Sequence, residues 1–425
     1  MRSNRLAAAC AAAFLGGALA PGLAHATDGY FQPGYSVRSV GMGGVGIALP
    51  QDALAAAANP AGMALVGNRV DAGLTLFRPD RQAQIADTTY SGNAQSNFLI
   101  PEFGYNHMLS RGLSLGISVY GNGGMNSGYS SIAASTGLQP GVGVDLQQLF
   151  ISPSVAWRVT PDNTIGLALD LVHQSFRANG LGNFASSQMS INPASLRSPG
   201  HDSSDGVGVR IGWIGKLAPG WSVGATFQPK IHMSSFGAYN GLFADGGKFD
   251  IPENYGIGVA WQANAQWTVA ADVERILYGQ VSSIANSSLP LMALAQGQSA
   301  PRLGAPGGAG FGWSDVTVLK LGAAWRYSDR LTLRAGWNHT DNPISATDVF
   351  FNTVAPGVVK DHLTLGLSYA LTPKIDVSAD YVHAFRNSVD GYAPQLNGQG
   401  RVVGRSAETL SMSQDSVGIA IGYKF

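Results

Sequence analysis

Residues 416–425, SVGIAIGYKF, alternate without a break. Val417, Ile419, Ile421, Tyr423 and Phe425 fall on one side of an extended chain, and Gly418, Ala420, Gly422 and Lys424 on the other. Successive side chains of a strand point to opposite faces, so this segment reads as a strand with one apolar and one small or polar face. The same parity recurs in Ile165/Leu167/Leu169/Leu171 against Gly166/Ala168/Asp170, and in Leu363/Leu365/Leu367/Tyr369 against Thr364/Gly366/Ser368. It appears again in Ile375/Val377/Ala379/Tyr381 against Asp376/Ser378/Asp380.

The connections between such segments alternate in length. Short turns, among them Ser110-Arg111-Gly112, Thr160-Pro161-Asp162-Asn163, Ala218-Pro219-Gly220 and Leu371-Thr372-Pro373-Lys374, take turns with long stretches. The long ones are residues 79–97, 122–145, 177–205, 234–248, 278–312, 342–360 and 386–410, which leaves room for about 14 strands, an outer-membrane number. Short turns at one end and long loops at the other, with an even strand number, define an all-β transmembrane antiparallel barrel; closure removes the unpaired edges that lipid does not tolerate. Trp157, Trp213, Trp221, Trp261, Trp267, Trp325, Tyr327, Trp337 and Tyr423 gather near strand ends, as an interfacial girdle requires. A soluble β-sandwich also buries aromatics, but it does not need every second connection to be short.

Composition points the same way. Only 12% of the 425 residues are charged, 56 are glycine, and no charged linker or composition shift divides the chain, so a single barrel is the simplest organisation. Residues 1–26 read as a secretory signal peptide: Arg2 and Arg5, an apolar run broken by Gly16, Gly17, Pro21 and Gly22, then Ala24-His25-Ala26 before cleavage. Without them the chain keeps no cysteine, which sets aside disulfide scaffolds. Its 24 basic residues face 26 acidic ones, a net charge of −2 that calls for no nucleic acid.

Residues 40–63, VGMGGVGIALPQDALAAAANPAGM, are neither a good strand nor a long helix. Asp52 is placed to cap a short alanine-rich helix that Asn59-Pro60 stops, so residues 27–68 read as a plug ahead of a barrel spanning 69–425. Gly41-Met42-Gly43-Gly44-Val45-Gly46 matches a dinucleotide fingerprint as a string, but no strand precedes it and Pro50 interrupts the segment after it; that reading is rejected.

With these residues in view, the chain resembles the FadL-type outer-membrane transporters of long-chain fatty acids and related hydrophobic compounds. The match rests on GMGG, Asp52 and the hatch motif Asn59-Pro60-Ala61-Gly62. It continues through Pro101-Glu102-Phe103-Gly104-Tyr105, GISVYGNGG at residues 116–124, Ile251-Pro252-Glu253, LTLRAGW at residues 331–337, Asp341-Asn342-Pro343 and the closing Gly422-Tyr423-Lys424-Phe425. The resemblance implies a 14-stranded barrel closed by an N-terminal hatch in the outer membrane, with no cofactor. Ligand would be captured at the long loops, pass to a lumen pocket, and leave sideways through an opening at a kink in the third strand. By position the kink residues are Gly121, Asn122, Gly123 and Gly124, with the Asn59-Pro60-Ala61 corner expected against the gap; the alternative is that these glycines only begin a flexible loop. Phe425 resembles the terminal residue by which the barrel assembly machinery recognises its substrates. A monomer is expected.

The loops contain capture material in Leu181, Phe184, Phe236, Leu242, Phe243 and Leu291. Arg210, Lys320 and Arg334 share the inward parity and are candidates for a ligand head group; Asp170, Asp272, Glu274, Asp376 and Asp380 share it too, so a lumen ion-pair network is the competing reading. Whether the ligand is a fatty acid, an aromatic hydrocarbon or another lipophile is open at this level. His107, His173, His232, His339, His362 and His383 fall on separate segments without metal-ligand spacing, so no metal is expected. No GxSxG string supports an outer-membrane lipid hydrolase, and the plug argues against a general diffusion porin.

Overall fold

The computed structural model describes residues 28–397 and 401–425; the expected signal peptide lies outside the described residues. The strands are β1 (Arg69–Ile85), β2 (Thr88–Ser91), β3 (Phe98–Met108), β4 (Leu113–Asn126), β5 (Gly143–Arg158), β6 (Asn163–Asn179), β7 (Asp202–Ala218) and β8 (Trp221–Gln228). They continue with β9 (Asn254–Gln262), β10 (Trp267–Ile276), β11 (Val316–Arg326), β12 (Leu331–Thr340), β13 (Asp361–Ala370), β14 (Ile375–Leu396) and β15 (Val402–Lys424). From β3 to β15 each strand pairs antiparallel with the next in sequence, β1 pairs directly with β3, and β15 returns to β1 from Arg69↔Lys424 to Ile85↔Glu408. The short β2 only folds back on the far end of β1, so fourteen strands close the barrel.

The outward rows are the ones the alternation assigns: Ile165, Leu167, Leu169, Leu171, Leu363, Leu365, Leu367, Val417, Ile419 and Ile421 are all exposed, toward lipid. Several expected loops are instead ladder. β14 and β15 stay paired from Asn387↔Met412 to Leu396↔Val402, and β1 runs on to Ile85, so residues 386–396 and 402–410 extend the wall as paired strand. Beyond the bilayer a strand still forms backbone bonds but no longer needs apolar outward residues, so the pattern that marks it fades before the strand ends.

Residues 28–68 pack against inward-facing side chains around much of the wall. Five inward glycines permit the approach: a Cβ on Gly104, Gly166, Gly224, Gly322 or Gly336 would fall within 2.4 Å of backbone atoms of Ala53, Pro60, Ile47, Met42 or Gly43 respectively. Local structure follows the sequence closely. Ser36 and Ser39 form a capping box on the helix Val37–Val40, Asp52 accepts from the Leu54 amide at 3.0 Å ahead of the turn Ala55–Ala57, and Asn59 caps Pro60–Ala64 through the Ala61 amide at 3.1 Å. The glycine string thus comes after a helix, not a strand.

Candidate functional site: an apolar loop pocket, a polar cavity and a gap in the wall

The long loops surround an apolar pocket whose sixteen lining residues include Leu138, Phe176, Leu196, Leu303, Phe311, Phe350 and Phe351, with Ser283 the one polar side chain among them. Leu181, Phe184, Leu242, Phe243 and Leu291 also line it, so five of the six expected capture residues converge there from three connections. Phe236, the sixth, lies one layer back, its ring 5.8 Å from Phe176 and 5.9 Å from Phe243.

What holds the pocket in shape was not legible in the sequence. The buried Asp348 carboxylate accepts from Ser287 Oγ at 2.9 Å, Ser288 N at 2.7 Å, Ser288 Oγ at 2.9 Å, Ser345 Oγ at 2.6 Å and Thr347 Oγ1 at 3.0 Å. Burial alone would raise its pKa, but these hydrogen bonds, Ser345 first, hold it below the usual carboxylate value. The clasp ties the start of the helix Leu289–Ala295, which carries Leu291, to the loop that carries Phe350 and Phe351.

Toward the short-turn end lies a second cavity of different character, bounded by Tyr35, Asp52, Arg210, Asp272, Glu274 and Lys320 together with residues 44–58. Lys320 is committed to Glu274 at 2.9 Å. Arg210 bonds only neutral partners, Asn254 Oδ1 at 3.1 Å and Gln228 Oε1 at 2.5 Å, and its Nε has no partner among the described residues. Arg334 does not line this space and is held by Gln51 Oε1 at 3.2 Å and Ser368 Oγ at 2.7 Å. The ion-pair network expected among the inward strand residues is therefore only partly present. Asp376, 3.6 Å from Lys424 of β15, also pairs with Arg38 of the N-terminal segment, and Asp272 accepts from the amides of Gly46 and Ile47 at 2.8 and 3.1 Å. The N-terminal segment supplies partners that a strand-by-strand reading cannot see.

The third feature is a break in pairing. The β3–β4 ladder runs from Met108↔Ser114 to Phe103↔Val119 and stops, although β3 begins at Phe98 and β4 continues to Asn126. On its other side β4 slips register against β5 between Gly121 and Gly123, leaving Asn122 as a bulge. The expected kink position is therefore irregular, and the glycines do not begin a loop. The free edge is covered by residues 30–32: Gln32 N donates to Asn122 O at 3.1 Å, Gly124 N donates to Tyr30 O at 3.0 Å, and Gln32 Nε2 donates to Gly121 O at 2.5 Å.

The Asn59-Pro60-Ala61 corner lies elsewhere, which corrects the sequence expectation. Asn59 Nδ2 donates to the carbonyls of Trp213 and Ala225 at 3.0 and 3.3 Å, and Pro60 and Ala61 press on Gly166, so the corner faces β6 to β8. Its Met63 approaches β4 only at Gly116, short of the bulge. Asn59 is consumed in satisfying backbone groups and cannot also reach the gap.

A family model described as outer membrane protein transport protein (OMPP1/FadL/TodX) matches residues 20–425. The chain belongs to this family of outer-membrane transport proteins. Among solved structures, the Pseudomonas putida toluene transporter TodX is 20% identical with a TM-score of 0.65, covering 92% of this chain and 99% of its own. A Pseudomonas aeruginosa FadL homologue is 16% identical with a TM-score of 0.68 over 93% and 99% of the two chains. The Ralstonia pickettii toluene transporter TbuX is 20% identical with a TM-score of 0.63 over 92% and 99%. No curated protein matches. The family places the barrel in the outer membrane as a transporter of hydrophobic compounds and consists of transport channels rather than enzymes.

Between the loop pocket and the gap runs a file of rings. Phe243 lies 5.0 Å from Phe249, and Phe249 lies 6.1 Å from Tyr30, whose carbonyl holds the β4 edge. Tyr278 fastens this point by accepting from Tyr30 N at 3.1 Å and donating to Asp28 O at 2.6 Å. Residues 28–32 carry no recognisable motif; only their neighbours across the barrel reveal them.

Proposed function

We propose that this chain takes up small hydrophobic compounds that carry no charged head group, of the aromatic hydrocarbon kind, in preference to long-chain fatty acids. The supporting observation is the loop pocket, lined by aliphatic and aromatic side chains with one serine and no ionisable group. A neutral ligand gains about 25 cal/mol for each Å² of apolar surface it buries there, whereas a carboxylate would lose its hydration without a partner. From the pocket the ligand passes along the Phe243, Phe249 and Tyr30 rings. It then leaves through the β3–β4 gap when residues 28–32 lift away, with residues 28–68 acting as the hatch. The barrel works as a monomer, and Phe425 serves as its assembly signal; Phe425→Ser should lower the amount in the outer membrane while export to the periplasm continues.

Equilibrium binding of radiolabelled toluene and of oleate to purified protein, with uptake by cells alongside, tests this. Saturable toluene binding that oleate does not displace supports the reading; oleate displacement at equal or lower concentration overturns it. One observation favours a second reading, a carboxylate ligand: Arg210 faces the polar cavity, and its Nε has no hydrogen-bond partner among the described residues. Under that reading Arg210→Gln abolishes oleate uptake; under the first it leaves toluene uptake unchanged.

A further inference from the structure

Three histidines stand directly opposite an aspartate on the next strand, all on the outer wall. His173 faces Asp205, His339 faces Asp361, and His383 faces Asp415 in the strand registers. Each Nδ1 lies within hydrogen-bond reach of the opposing carboxylate, at 2.7, 2.8 and 2.9 Å. Their place on the strands is the same. His173 comes after Leu169 and Leu171 on the outward row of β6, Asp361 precedes Leu363 and Leu365 on β13, and Asp415 precedes Val417 and Ile419 on β15. Each pair therefore sits where the apolar band ends, on the side of the long loops. Cations accompany them: Arg78 is opposite Asp415 on β1, and Arg275 lies on the outward row of β10, 3.6 Å from Asp315.

A carboxylate only accepts, so Nδ1 must carry the donated proton, and the proton taken up on protonation sits on Nε2, on the other side of the ring. Where an outside anion draws a second proton onto the ring, Asp and imidazolium cancel and Nε2–H donates to that anion. We propose that this belt binds the phosphate groups of the phosphorylated glycolipid, lipid A, that forms the outer leaflet around the barrel. The pairs would act as fixed donors to phosphate, with Arg78 adding positive charge beside the His383–Asp415 pair and Arg275, balanced by Asp315, offering further guanidinium donors. The inference concerns the outer wall and does not depend on what the lumen carries.

Purified barrel is titrated with bisphosphorylated lipid A, with its dephosphorylated counterpart and with phosphatidylglycerol, and bound copies are counted by native mass spectrometry. The expected result is preferential retention of bisphosphorylated lipid A. That preference falls about fivefold or more when His173→Gln, His339→Gln and His383→Gln are combined, and the arginine versions restore it. Heat-modifiable gel mobility checks folding; if the combination fails to fold, each change is read singly against its own arginine version. Unchanged preference in the glutamine variants overturns the proposal, as does equal retention and equal loss of phosphatidylglycerol, which would make the site one for phosphate lipids in general. A role limited to stapling neighbouring strands would leave the lipid preference where it was.

Discussion

The loop pocket and the polar cavity beneath it are built from opposite materials. The first is assembled from leucine and phenylalanine delivered by loops; the second from a hatch-like segment, two cations and three carboxylates on strands and plug. A compound that gains by leaving water in the first gains nothing by entering the second, because the charged groups there are already bonded to one another, to neutral side chains or to backbone amides. The contrast teaches that the polar cavity serves as the seat on which residues 28–68 rest, and that the continuation of the apolar surface runs sideways, along rings to the β3–β4 edge.

The largest expected effect removes one side of the contrast. Deleting residues 28–62 should leave a closed barrel, because β1 and β15 complete the ladder without them. It should also turn specific uptake into unspecific leakage, seen as rapid swelling of liposomes by small sugars. Parent-like uptake without swelling would dismiss any hatch role.

Next, charge is placed in the apolar half. Phe243→Asp should weaken toluene binding by about tenfold or more, roughly 1.4 kcal/mol, since a carboxylate there has no partner. Binding calorimetry that finds parent affinity would show that the pocket is not the capture site.

A third test separates capture from release. Gly123→Val is a poor tool, because a Cβ there would fall 1.8 Å from Tyr30 O and push residues 30–32 off the edge. Gln32→Cys with Asn122→Cys is better placed: the two stand opposite each other beside the antiparallel Phe31↔Gly123 bridge, with Gln32 N donating to Asn122 O at 3.1 Å, and the chain has a single native cysteine, Cys10, inside the expected leader. With the crosslink confirmed by mass, binding should persist and uptake fall until a reductant is added. Full uptake through the crosslinked protein would end the idea of lateral release.

The smallest effect is on pH. Burial raises the Asp28 carboxyl to about 7 despite the attraction of Lys320; Glu274 adds to the rise, while Asn338 and, from the outer wall, His339 oppose it. A carboxyl whose docked pKa is raised favours the docked state when protonated. Docking of residues 28–32 should thus be fully supported below about pH 4 and weaken as pH rises to about 7. Hydrogen exchange at Gln32 and Gly124, corrected for intrinsic rates, should show protection falling between pH 5 and 8, and Asp28→Asn should flatten the trend; a trend that survives in Asp28→Asn places its origin elsewhere.

Much of the architecture is local and therefore readable along the chain. Period-two alternation in segments such as residues 165–171 and 416–425 sets which residues face lipid, and short turns such as Leu371 to Lys374 mark one end. Asx and serine caps at Ser36, Asp52 and Asn59 set the turns of the plug, because each acts within three residues. The capture residues were readable as apolar loop content but not as one pocket, since their convergence depends on Asp348 gathering serines from two loops.

What the sequence by itself determined is the strand pattern, the lipid-facing rows and the short capped turns of the N-terminal segment. All of these come from side-chain direction and capping over a few residues. Only the tertiary structure decided where the plug touches the wall. It set Asn59 on β6 to β8 and residues 30–32 on the open edge of β4, and it gave Asp376 and Asp272 partners in the N-terminal segment. Those contacts join residues far apart in the chain whose types are common, so pairing is selected by barrel closure and by the need to satisfy every buried backbone group, a condition that no local window of sequence contains.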